Sequence, residues 1–165
     1  MAAALPAHAE VSKEYQVKAA FVYNFTKFVE WPREHFGDDH RAIVIAVLGQ
    51  NPFGDELEKI LRDRKVGGRE LIIKTLASVD DARTADVLFV CDGEEKHLEA
   101  VWPSLHAAGV LTIGESTDFA AQGMITFVLE GDKVRFAVNL ASVERAHLKF
   151  SAQLLKLATT VRRDR

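Results

Sequence analysis

Four short apolar runs constrain this chain more than any other feature: AIVIAVLG (42–49), ELIIKTL (70–76), DVLFVCD (86–92) and VLTIGE (110–115). Each has the length of a strand and is nearly continuous in Val, Ile, Leu and Phe, as strands covered on both faces are. Helical stretches at 54–64 and 94–108 separate them. That alternating order predicts a mostly parallel sheet. The link over 77–85 is short for a parallel crossover and is the weak point of this reading.

The two ends differ from this middle. Toward the C-terminus, MITFVLEGDKVRFAV alternates apolar and polar residues around Gly131-Asp132, which predicts a β-hairpin. Asn139 then caps a helical region that reaches Val161, as one helix or as two. In the second case HLKFS (147–151) is an extended joint and Ser151 caps a separate last helix. The expected fold class is α/β, a three-layer Rossmann-like open sheet, mostly parallel, with a C-terminal antiparallel hairpin and helices on both faces. Residues 10–165 form one domain, because the length suits a single substantial core.

At the other end, KAAFVYNFTKFVEWP (18–32) belongs to a helix capped by Ser12, running to Glu30 and stopped by Pro32. At about 100° per residue, Val17, Phe21, Phe25, Phe28, Val29 and Trp31 fall on one side, with Val22 at its margin. Gln16, Tyr23, Thr26, Lys27 and Glu30 fall opposite. Phe21, Phe25, Phe28 and Trp31 are therefore structural, each phenylalanine contributing about 1.5–3 kcal/mol when buried. Asn24 is expected within the apolar arc, hydrogen-bonded to a buried partner in a structural role.

Hydrophobic residues make up 48% of the chain and charged residues 27%, an ordinary globular balance. A formal net charge of −3 argues against nucleic acid, which needs a basic surface. No run approaches the roughly 20 apolar residues of a membrane span. The lead MAAALPAHAE has two readings, the end of a secretory signal peptide cleaved after Ala9 or an Ala-rich disordered segment over 1–9. Cys91, the single cysteine, reads as a small core residue, since no cation adjoins it in sequence to lower its pKa.

No catalytic motif stands out. GQNPFG (49–54) is neither a dinucleotide nor a phosphate loop, no GxSxG elbow occurs, and no metal-ligand spacing is present. HFGDDH (35–40) reads as solvated loop rather than a metal site, and Glu94, Glu95, His97 and Glu99 as acidic helix-opening surface. No enzyme activity, cofactor or metal is expected. Open α/β sheets bind ligands beyond the carboxyl ends of their strands. Those ends carry Gln50, Asn51, Asp92, Glu115 and Ser116, a candidate ligand cleft, with Ser116 also suited to capping a helix.

KAAFVYNFTKFVEWP together with VRFAVNLASVERAHLKFSAQLLKLA closely resembles the YfiR/HmsC-like family, and ADVLFV, GVLTIGES and FAAQGMITFVLE are similar to it too. The resemblance runs from about Tyr15 to Val161. It implies a periplasmic protein, and so favours the signal-peptide reading with a mature start near Glu10. It also implies a repressor that binds the periplasmic portion of an inner-membrane diguanylate cyclase, lowering cyclic-di-GMP signalling and biofilm formation. An OmpA-like outer-membrane lipoprotein is the expected sequestering partner, and a homodimer the expected state.

The family's functional surface corresponds to the segment from Glu144 to Phe150, which makes Glu144, Arg145, Leu148 and Phe150 the partner-binding candidates. Two departures stand out. A single cysteine rules out the intrachain disulfides of better-studied members, and His147 stands where the family usually has glycine. The alternative function is a periplasmic sensor that binds a small molecule in the strand-end cleft.

Overall fold

The computed structural model describes residues 11–37 and 40–163. The lead over 1–9 therefore lies outside the described residues, as do Asp38 and Asp39. Helix α1 (Lys13–Phe28) opens the fold, its first turn capped where Ser12 Oγ accepts from the Tyr15 N–H. Strand β2 (Ile43–Leu48) follows the two-residue strand β1 (Val29–Glu30), and α2 (Glu56–Leu61) leads to β3 (Lys65–Val66) and β4 (Arg69–Leu76). Next come β5 (Val87–Val90), α3 (Trp102–Ala107), β6 (Leu111–Gly114) and α4 (Thr117–Ala120). The chain ends with β7 (Ile125–Glu130), β8 (Lys133–Asn139), α5 (Leu140–Arg145), β9 (Lys149–Phe150), α6 (Ala152–Leu157) and β10 (Thr160–Arg162).

One eight-stranded sheet has the order β10-β8-β7-β6-β5-β2-β4-β3. The strands β4, β2, β5, β6 and β7 are mutually parallel, and β7 and β8 form the antiparallel hairpin around Gly131-Asp132. Gly131 takes φ 64°, the left-handed conformation that a two-residue hairpin loop requires. The expected three-layer α/β class holds. The link over 77–85 manages its crossover with a 3-10 segment, Val79–Thr84, in place of an α-helix. The region after Asn139 is two helices, separated by β9 as an extended joint, with Ser151 Oγ capping α6.

The parity of the strands sorts the core into two layers. Ile43, Ile45, Val47, Val87, Phe89, Leu111 and Ile113 pack with α1, α2 and α5. Ala46, Leu48, Leu88 and Val90 pack with α3 and α4 on the other face. Among the strands formed by the four apolar runs, β4 is the exception to two-sided burial, because the covering layer on that second face stops short of it and leaves Ile72 40% exposed.

Helix α1 corrects three expectations. It ends at Phe28, and Val29–Glu30 leave as strand β1 instead of continuing to Glu30. Its buried face is centred on Val22, with Lys18, Ala19, Phe25 and Thr26 around it, so Thr26 is inside and Val17 is 38% exposed. Asn24 is exposed, not buried in the apolar arc. The reason is geometric: small Ala19 and Val22 let the helix approach the sheet, while Phe21 and Phe28 reach in from the margins. Asn24 lies about 200° around from Val22 and faces away. Thr26 satisfies its hydroxyl by donating to the Val22 carbonyl at 2.8 Å.

Candidate functional site

Strands β1 and β9 bring the two end motifs side by side. They pair antiparallel, Val29 with Phe150 and Glu30 with Lys149, and the Ser151 N–H donates to the Phe28 carbonyl at 3.1 Å. Beside this ladder lies a groove of about 940 Å³, walled by Trp31 and Pro32 from the first motif and by Glu144, His147 and Phe150 from the second. Trp31 is fixed by its Nε1–H, which donates to the Gly109 carbonyl at 3.0 Å, and by stacking on the His35 ring.

The second wall owes its shape to the end of α5. His147 adopts φ 59°. Its N–H donates to the Glu144 carbonyl at 3.0 Å, and the Leu148 N–H donates to the Val143 carbonyl at 3.1 Å. These two bonds are a Schellman cap, and Val143 and Leu148 are both buried in the same core. The glycine-favouring backbone is thus kept with a histidine in it, and a left-handed non-glycine residue costs about 1–2 kcal/mol. His147→Gly should raise stability by about 1 kcal/mol once the extra unfolded-state entropy of glycine is subtracted. Urea melts of the two proteins check it, and an equal or lower midpoint contradicts it.

Exposed carboxylates rim the groove at Glu30, Glu34 and Glu144, against the single cation Lys149. None of these four takes part in an ion pair among the described residues. The candidate contact residues divide here. Glu144 and half-buried Phe150 face the groove. Leu148 is 4% exposed and belongs to the core, which corrects its assignment as a contact residue. Arg145 turns to an adjoining hollow beside Trp102 and His106.

At the opposite end of the sheet, the strand-end residues also divide. Asp92, Glu115 and Ser116 line one cavity of about 470 Å³. Gln50 is exposed outside it, and Asn51 closes its own turn by accepting from the Phe53 N–H at 2.8 Å. Ser116 Oγ caps α4, accepting from the Phe119 N–H at 3.1 Å. The Phe119 ring fills the space that a Cβ at Gly114 or Gly123 would need, which seats α4 and its cap against β6.

Helix α1 supplies what sequence reasoning missed. Lys18 is 3% exposed; its Nζ donates to Glu14 at 2.5 Å and to Glu115 at 2.7 Å, and lies 4.7 Å from the centre of the Tyr15 ring. Tyr15 donates its hydroxyl proton to Glu115 at 3.2 Å, and burial together with that carboxylate pushes its pKa up. Burial likewise pushes the Cys91 thiol up to about 12, with Glu115 and Glu94 adding to it, and the side chain packs in the core. Charge spacing along α1 gave one clue, since Glu14 and Lys18 stand at i and i+4.

The profile of the YfiR/HmsC-like family matches residues 15–159, both end motifs included. The chain belongs to the YfiR/HmsC-like family. Among solved structures, a conserved domain protein from Vibrio cholerae O1 biovar eltor str. N16961 superposes with a TM-score of 0.53 at 11% identity, covering 90% of this chain. The ABC domain from Streptococcus pneumonia, solved in complex with L-Trp, gives the same TM-score, identity and coverage. At that identity the likeness concerns the fold alone, and this YfiR/HmsC-like chain spans 60% of the length of each. No curated protein matches the sequence.

Proposed function

We propose that this chain is a non-enzymatic periplasmic regulator that restrains an inner-membrane diguanylate cyclase through the groove between the two end motifs. The observation that carries this reading is the convergence of Trp31 and Pro32 with Glu144, His147 and Phe150, more than 110 residues apart in sequence, on one apolar groove with an unpaired acidic rim. An aromatic floor with a charged edge is what a recognition surface requires. The rim asks for a partner segment with an apolar anchor flanked by Lys or Arg. That segment belongs to the periplasmic portion of the cyclase, and an OmpA-like lipoprotein releases the cyclase by taking up the regulator. The working unit is a homodimer. No helix among the described residues is long and apolar enough to cross a membrane, in keeping with a regulator that meets its membrane partner from outside the bilayer.

The test is a pair of variants in cells that carry the cyclase. Glu144→Lys with Phe150→Ala should raise cyclic-di-GMP and weaken binding to the cyclase's periplasmic portion by at least about tenfold. Because Phe150 is half-buried, Glu34→Lys with Glu144→Lys provides a second variant that changes exposed positions alone. It should derepress with an unchanged melting curve. A folded charge-reversed protein that still represses and still binds would move the interface elsewhere.

A further inference from the structure

The wall that Trp31 gives the groove is held from behind, by residues that do not line it. HFGDDH (35–40) reads in sequence as solvated loop, yet the His35 side chain is only 11% exposed. Its ring stacks on Trp31 with centroids 5.7 Å apart and planes 21° apart, and its Nε2 lies 2.8 Å from Asp86 Oδ1. Phe36 packs edge-on against both rings, 5.4 Å from Trp31 and 4.7 Å from His35. Gly109 accepts the Trp31 indole N–H at 3.0 Å and leaves room for the imidazole, since a Cβ there would come within 3.1 Å of His35 Nδ1.

Asp86 is itself fixed. It is 1% exposed and accepts two hydrogen bonds from the Arg41 guanidinium and one from the Val44 N–H. The imidazole therefore joins a carboxylate anchored in the sheet to an indole that faces the groove. An aromatic wall already held in place loses less side-chain freedom when a partner binds, which is worth about 2- to 10-fold in affinity.

We propose that His35 is a positioning residue for the groove: its ring carries the fixed place of Asp86 to Trp31 and so pre-organises the wall that the partner's apolar anchor meets. The effect on partner affinity rests on the groove reading, whereas the placement of Trp31 rests on this geometry alone.

Two substitutions separate the ring from the hydrogen bond. His35→Gln keeps a donor for Asp86 and removes the ring, and His35→Phe keeps the ring and removes the donor. Solvent exchange of the Trp31 indole N–H, followed by NMR on the full chain and assigned by the signal's loss in Trp31→Phe, reports how firmly the wall is held. In His35→Gln it should exchange at least about 3-fold faster than in wild type, with a melting curve near wild type. The same variant should bind the cyclase's periplasmic portion about 2- to 10-fold more weakly. His35→Phe should melt lower, because Asp86 loses a partner, yet exchange more slowly than His35→Gln. Unchanged exchange in His35→Gln would overturn the proposal, as would affinities that follow melting temperature across the two variants instead of exchange. A His35→Gln protein that melts as low as His35→Phe would also overturn it, making His35 a prop of the fold alone. If the wild type does not bind the cyclase's periplasmic portion, the groove reading falls, and the exchange of the Trp31 indole alone decides this proposal.

Discussion

Asp86→Ala is expected to cost about 3–5 kcal/mol and to lower the melting temperature by about 10 °C. Asp86 stands just before β5, at the amino ends of the parallel strands, and is 1% exposed. Arg41 donates to both of its oxygens, at 2.8 and 2.9 Å, His35 lies at 2.8 Å, and the Val44 N–H donates at 2.8 Å. One carboxylate thus joins the loop after β1, the start of β2 and the start of β5. Its removal leaves the half-buried Val44 N–H and the His35 ring without their acceptor, which is costlier than never having had the pair.

The same site sets a pH dependence. Burial alone would raise the Asp86 pKa, but the hydrogen bonds from Arg41, His35 and Val44 outweigh it and lower it from 3.8 to about 2. A carboxylate with a depressed folded pKa stabilises the fold above its unfolded pKa, and that contribution fades as pH falls through the folded one. Wild type should therefore lose about 2–2.5 kcal/mol from this group between about pH 5 and pH 2. Asp86→Ala should lack that component. Urea melts at neutral and acid pH measure both effects, and parallel pH profiles for the two proteins would contradict the account.

Phe25→Ala should cost about 3–5 kcal/mol, while Asn24→Ala, one residue away, should stay within about 0.5 kcal/mol of wild type. Phe25 is 0% exposed, with ring centroids 4.8 Å from Phe136 and 5.7 Å from both Phe21 and Phe127. Truncating it opens a cavity between α1 and the hairpin strands that stiff aromatic neighbours can only partly fill. Asn24 faces solvent and loses nothing comparable. Denaturant midpoints of the two variants, measured side by side, decide it. A large loss for Asn24→Ala would mean that the buried face of α1 is misassigned.

Local patterns in the sequence carried the elements themselves. Ser12, Ser116, Asn139 and Ser151 all cap helices through their side chains, because a cap needs only a short polar group three residues before the N–H it serves. The hairpin at Gly131-Asp132 and the parallel character of the middle strands were legible because turn chemistry and the alternation of apolar runs with helical stretches are read along the chain, whereas the spatial order of the strands was not. Tertiary structure alone decided the rest. An angular count along α1 shows which residues share a face, but where that face points depends on how closely Ala19 and Val22 let the helix dock, and this put Asn24 outside and Lys18 inside. Leu148 reads as an exposed joint until the Schellman turn folds it onto Val143. Lys18 is an ordinary surface-forming type in sequence, and it is buried against Glu115 because the end of β6 and the first turns of α1 meet there. The groove arises the same way, because only the pairing of β1 with β9 sets Trp31 near Phe150.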